Sequence, residues 1–183
     1  MLDTHQDLAG NHALMTSDRR FSLRAGYFAA FAVCAGLMGY ALYLQYVLEL
    51  EPCPLCMFQR VMMCAMGAVF LIAALHNPGR AGAWGYAVAQ LVLGAAGIGL
   101  ALRHLWIQSL PADQVPACGM GIGYMFETLP LADVIARTLK GSGECAKVDL
   151  VLGLSIPAWT LILFVLLILW SIALAILAAK SRR

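Results

Sequence analysis

Apolar residues fall into four long runs, roughly Ala25–Val47, Leu55–Leu75, Trp84–Ile107 and Ile156–Ala179. Each approaches or exceeds the roughly 20 helical residues that span a bilayer. Backbone groups in lipid must be satisfied within the segment, so the runs predict helices rather than strands. The pattern predicts an all-α membrane protein, a four-helix transmembrane bundle over residues 25–179. A tail (1–24) precedes it and a short tail (180–183) follows it. Residues 1–22 are polar and read as a disordered segment; the apolar run behind them is too long for a cleavable signal peptide. The connection at about 48–54 is short. His76-Asn77-Pro78-Gly79 reads as a turn, with His76 facing solvent. The stretch 109–155 is too long for a simple connector. Within it Leu131, Val134, Ile135 and Leu139 recur at helical spacing, with Asp133, Arg137 and Lys140 on other faces. That pattern predicts a short amphipathic helix lying flat on the bilayer.

Composition agrees: 62% of the 183 residues are hydrophobic and only 12% are charged, which excludes an ordinary soluble domain. The formal net charge of +2 conceals an asymmetry. Arg19, Arg20, Arg24, Arg80, Lys180, Arg182 and Arg183 flank the spans on one side, and most acidic residues lie on the other. The positive-inside rule therefore puts both termini in the cytoplasm and the loops 48–54 and 109–155 outside. The basic ends are topology signals, with no basic patch for nucleic acid. Gly36 and Gly39 in the first span, and Gly94, Gly97 and Gly99 in the third, suggest close helix approach.

The chemistry concentrates in Glu51-Pro52-Cys53-Pro54-Leu55-Cys56-Met57-Phe58-Gln59-Arg60. Pro52 and Pro54 allow a helix to begin at Pro54 but hardly before it. Cys53 then takes the N-cap and Cys56 the first turn, where the helix dipole favours a thiolate. Arg60 follows four residues after Cys56 on the same face. An arginine at membrane depth is costly and usually functional. Two cysteines, a positive helix end and a buried cation suggest thiol redox chemistry beside a membrane-soluble acceptor.

Of six cysteines, Cys53, Cys56, Cys118 and Cys145 lie in or at the outward loops, as suits an oxidising compartment. Cys34 and Cys64 lie within spans and read as small buried hydrophobes. A Cys118–Cys145 bridge would close a loop of about 28 residues, worth ~3.5 kcal/mol on chain-entropy grounds. The glycine-rich flanks of both cysteines suggest a mobile exchange partner instead, and four cysteines allow three pairings. No metal site is expected, because no second Cys-x-x-Cys or His-x-x-x-His accompanies the first. Arg103 is placed to snorkel to headgroups, Trp106 suits the interfacial belt, and His104 reads as an interfacial structural residue.

Together, Cys53-Pro54-Leu55-Cys56 with Arg60, the Arg103-His104 to Gln108 segment, Cys118, and Gly143-Glu144-Cys145 followed by Leu152-Gly153-Leu154 and Pro157-Ala158-Trp159 resemble the DsbB family of bacterial disulfide-bond formation proteins. The resemblance covers nearly the whole chain after the first tail. It implies an inner-membrane protein-dithiol:quinone oxidoreductase, whose cofactor is ubiquinone or menaquinone. Its partner would be a periplasmic thioredoxin-fold dithiol oxidase of the DsbA type, part of the system that keeps the bacterial periplasm oxidising. Carried over by position, Cys118 is attacked by the reduced partner, and the released Cys145 attacks Cys53. Cys56 becomes the thiolate facing quinone, with Arg60 and His104 as quinone contacts. Helix capping alone would instead make Cys53 the more acidic thiol.

Two other readings compete. A vitamin K epoxide reductase-like enzyme shares the chemistry, but its Cys-x-x-Cys comes late in the chain. A soft-metal membrane transporter would need thiolates and imidazoles along one path through the bilayer, whereas four cysteines cluster outward here.

Overall fold

The computed structural model describes residues 3–111, 113–117 and 122–180, with side chains from residue 23 onward except at 122. Cys118 lies outside the described residues. The elements are α1 (Asp3–Tyr46), α2 (Pro54–His76), α3 (Arg80–Gln108), α4 (Ile122–Thr128), α5 (Leu131–Lys140), a 3-10 turn (Gly143–Ala146), the strands β1 (Leu150–Val151) and β2 (Leu154–Ser155), and α6 (Ile156–Lys180). Among the described residues, four segments are long and apolar enough to cross a membrane: Leu23–Tyr46, Pro54–His76, Arg80–Gln108 and Ile156–Lys180. The four-helix membrane architecture expected from the hydrophobic runs is therefore present.

Boundaries follow local chemistry. Helix α2 starts at Pro54, behind Cys53 in extended geometry (φ −66°, ψ 163°). It ends at Asn77 in the left-handed region, whose N–H donates to the Ala73 carbonyl at 3.0 Å. Three residues then suffice to reverse the chain into α3. One expectation fails at the first tail: α1 is continuous from Asp3. Residues 3–22 contain no proline and a single glycine, so nothing in them interrupts the helix that the first span propagates backward.

The helices close a ring, with α1 on α2, α2 on α3, α3 on α6 and α6 back on α1. Phe70, Met66, Ala73, Phe164, Leu167 and Tyr27 fill its centre. Lipid tails are as apolar as these side chains, so close packing rather than water exclusion must hold the ring. Ala83 and Ala87 accordingly meet Ala175 and Ala178. At Gly97 a Cβ would lie 2.6 Å from the Phe164 ring, so only glycine admits the contact. Gly36, Gly39 and Gly99 face open space, and the close approach expected there is absent. Valine, leucine and tryptophan side chains (Val88, Val92, Leu166, Trp170) point outward, as suits a lipid-facing surface.

The long connection folds back on the bundle. The expected amphipathic helix is α5, which buries Val134 and Thr138 and leaves Leu131, Ile135 and Leu139 exposed. The Arg103 guanidinium donates to the Leu139 and Lys140 carbonyls at 2.9 and 3.0 Å, closing the C-terminus of α5, and packs 4.2 Å from the Trp106 ring centre. Strands β1 and β2 form a minimal hairpin turned by Leu152 (φ 52°) and Gly153 (φ 85°), both left-handed as a type I′ turn requires. The Trp159 indole N–H donates to the Val151 carbonyl at 2.8 Å and ties this hairpin to α6.

Candidate functional site

The site forms where the start of α2, the end of α3 and the 3-10 turn converge. Cys53 caps α2, its sulfur accepting the Cys56 N–H at 3.4 Å. Cys56 sits one turn in, half-buried. The last turn of α3 pins the long connection through three side chains: Arg103 holds the end of α5, His104 the 3-10 turn, and Gln108 the Lys147 carbonyl at 3.1 Å. This anchoring brings Cys145 against Cys53. Cys145 is fully buried there. The polar backbone of the turn is satisfied locally: Cys145 N–H donates to Ser142 O at 2.9 Å.

His104 is the hub. It is 3% exposed, so the interfacial role suggested by its position near the helix end does not hold. Its Nε2 lies 3.1 Å from the Cys145 carbonyl oxygen and 3.8 Å from Cys53 Sγ. Its Nδ1 lies 3.3 Å from Gln59 Nε2 and 3.9 Å from Cys56 Sγ. A carbonyl can only accept and an amide NH₂ can only donate, so the proton belongs on Nε2 and the lone pair on Nδ1. Gln59 is itself held: the Thr160 hydroxyl lies 2.6 Å from its Oε1 and can donate to it. A directional chain thus runs from Thr160 on α6 through Gln59 and His104 to the Cys145 carbonyl. Sequence reasoning passed over Gln59 and Thr160. The spacing of Gln59, three residues after Cys56 and so on the same helical face, was the available signal.

The S–H of Cys145 is tied first to the Cys53 sulfur and then shielded by burial, and together these raise its pKa above the ordinary thiol range. Cys53, Cys145 and His104 present ligand atoms all within 4.8 Å of one another. Sequence spacing offered no second ligand pair beside Cys-x-x-Cys; folding delivers one from two distant segments. Cys34 is buried as expected, whereas Cys64 is exposed.

Beside the thiols a cavity of about 1100 Å³ opens among α1, α2 and α6. Leu37, Met38, Leu44, Met57, Met63 and Leu163 supply apolar wall, while Cys56, Arg60 and His104 form a polar margin. Arg60 is aimed along α1: it donates to the Gln45 side chain and, at 3.1 Å, to the Ala41 carbonyl. A flat apolar ring with hydrogen-bonding oxygens fits such a space, since the walls accept the ring and the guanidinium has donors to spare.

Comparison with known proteins points the same way. The family described as "Disulfide bond formation protein DsbB" matches residues 23–174. A Disulfide bond formation protein B of Hahella chejuensis is 56% identical over 143 residues, covering 78% of this chain and 87% of that protein. Its counterpart in Chromobacterium violaceum is 48% identical over 152 residues (81% and 90%), and that of Nitrosococcus oceani 50% over 149 residues (81% and 88%). A four-span helical bundle, three thiols gathered on one histidine, and these likenesses over most of its length make this chain a member of the DsbB family, a multi-pass membrane oxidoreductase of disulfide-bond formation.

Proposed function

We propose that the protein reoxidises a periplasmic DsbA-type dithiol protein and passes the electrons to a membrane quinone, from the bacterial inner membrane with both termini in the cytoplasm. The observation that carries this reading is the convergence of Cys53, Cys145 and His104 beside a cavity reached by Cys56 and Arg60.

In the proposed sequence a partner thiolate attacks Cys118 of a Cys118–Cys145 disulfide. The Cys118 sulfur joins the partner and Cys145 leaves with the electron pair. Cys145 then attacks Cys53 of the Cys53–Cys56 disulfide, forming the inter-loop bond and releasing Cys56 as a thiolate. The short path between Cys145 and Cys53 suits this transfer. The partner's second thiol resolves the mixed disulfide, and the freed Cys118 attacks Cys145. That regenerates Cys118–Cys145 and leaves Cys53 and Cys56 reduced. A bound quinone supplies the two-electron, two-proton oxidation that returns Cys53 and Cys56 to the disulfide. Arg60 holds a ring oxygen and offsets the Cys56 charge. His104 lines the cavity beside Cys56, where its Nδ1 can receive a thiol proton once the Gln59 amide N–H turns away from it; Gln59 and Thr160 hold the ring in place.

The test is quinone reduction by the purified protein, driven by a reduced DsbA-type dithiol. Turnover is expected with the intact chain and lost in both Cys118→Ser and Cys56→Ser. Cys118→Ser is further expected to form no mixed disulfide with the partner. Absence of turnover with both ubiquinone and menaquinone, or an unchanged covalent adduct in Cys118→Ser, would sink the reading.

A further inference from the structure

We propose that the reduced protein binds one thiophilic closed-shell cation, Zn²⁺, through Cys53, Cys145 and His104, and that this occupancy blocks thiol exchange. The inference shares its cysteines with the redox reading above, but metal binding measures it independently of turnover.

The geometry is nearly that of a site. The two sulfurs and a ring nitrogen lie within 4.8 Å of one another, with Cys53 Sγ 3.8 Å from His104 Nε2. Zinc bonds thiolate at about 2.3 Å and imidazole at about 2.0–2.1 Å, so tetrahedral donors stand roughly 3.5–3.8 Å apart. Small side-chain rotations close the difference. All three side chains are buried, so water competes poorly for the cation. They come from the N-cap of α2, the last turns of α3 and the 3-10 turn, the last two already held together by Gln108, which donates to the Lys147 carbonyl at the end of the turn. Three protein ligands leave a fourth position for water on the cavity side, the arrangement of an open zinc site.

Surrounding groups suit the role. Zinc on Nε2 requires the imidazole proton on Nδ1, and Gln59 can turn its amide oxygen to accept it there, as a carboxamide or carboxylate commonly does for a metal-bound histidine. One Zn²⁺ is taken up, two thiol protons pass to solvent, and no electrons move. With both sulfurs committed to the metal, neither can attack or be attacked, so the cation occupies the place of the inter-loop disulfide. Only the reduced state offers both thiolates.

The competing possibility is chelation by the adjacent Cys53–Cys56 pair, and variants separate the two. Full-length protein carrying Cys118→Ser, reduced and freed of reductant in detergent, would be titrated with Zn²⁺ against a chromophoric chelator. One zinc per chain is expected, with affinity retained in Cys56→Ser and weakened at least about tenfold in Cys145→Ser and in His104→Ala. Loss in Cys56→Ser with retention in Cys145→Ser and His104→Ala, or no stoichiometric zinc at all, overturns the inference. If Cys145→Ser does not fold, His104→Ala with Cys56→Ser decides the same question. Zinc should also lower wild-type turnover at least about tenfold, reversibly with chelator; unaffected turnover by zinc-loaded protein overturns the blocking role. A metal-free enzyme that turns over but takes up no zinc refutes this inference alone, and zinc uptake by a protein without turnover refutes only the redox reading.

Discussion

Cys34 and Cys145 are both buried thiols, 3% and 0% exposed, yet they sit in opposite kinds of interior. Cys34 belongs to the mid-bundle cluster with Met66, Phe70 and Phe164, where Gly67 lets α2 approach it. Cys145 meets a second sulfur, an imidazole held in one tautomer and a serine hydroxyl 3.7 Å away. Burial alone therefore does not make a cysteine structural. The company a thiol keeps decides whether it packs or reacts, because exchange needs an attacking thiolate and a reachable sulfur. The bundle centre offers neither; the end of α2 offers both.

The largest effect expected from breaking this contrast is at Cys145. Cys145→Ala should reduce dithiol-driven quinone reduction at least about a thousandfold, on the scale of removing a nucleophile. Cys34→Ala combined with Cys64→Ala should keep turnover while costing roughly 1 kcal/mol of stability. A dead double variant would erase the distinction. Next comes the hydrogen-bond chain: Gln59→Leu should lower kcat about tenfold to a hundredfold by freeing the His104 ring, and Gln59→Glu should shift the pH profile of kcat while restoring much of the rate. A structural defect alone would leave that profile in place. Arg60→Met should raise the quinone KM about tenfold, since a charge-assisted hydrogen bond is lost, and leave the rate of partner exchange unchanged.

The environment of Cys145 also sets a pH signature. Because its pKa is raised, the thiol stays protonated at neutral pH, and its alkylation in the reduced protein should climb with pH without levelling off near 9, where an ordinary thiol saturates. The same sign governs stability. The folded state favours the protonated form, so this contribution is whole below the unfolded thiol pKa and is lost as pH rises through the folded one. Peptide-resolved mass spectrometry after pulse alkylation measures the first; a plateau at pH 9 would refute it. Smallest in its effect on chemistry is Gly97→Ala, which should cost about 1–3 kcal/mol by displacing the Phe164 ring, read as thermal unfolding in detergent, with the thiol reactions intact.

Much of this protein is legible in one dimension. The four spans follow from hydrophobic run length, since lipid forces the backbone to close its own hydrogen bonds. The start of α2 and the capping place of Cys53 follow from two prolines, and α5 from its helical periodicity. These are local rules, acting over one to a few turns of chain. What local rules could not reach is the meeting of distant residues. Gln59 and His104 are 45 positions apart, and Thr160 lies 101 positions from Gln59. Cys64 shows the same limit in reverse: an apolar run marks a residue as intramembrane, but only the packing of α2 against α1 and α3 decides whether it faces a neighbour or the outside. Likewise Arg103 and His104 differ by one position, about 100° of helix, and so reach different partners. The sequence by itself determined the spans, the cysteine motif and the intramembrane arginine. Only the tertiary structure decided that the end of α3 would clamp Cys145 onto Cys53, because that contact depends on side chains whose partners are set by packing and not by spacing.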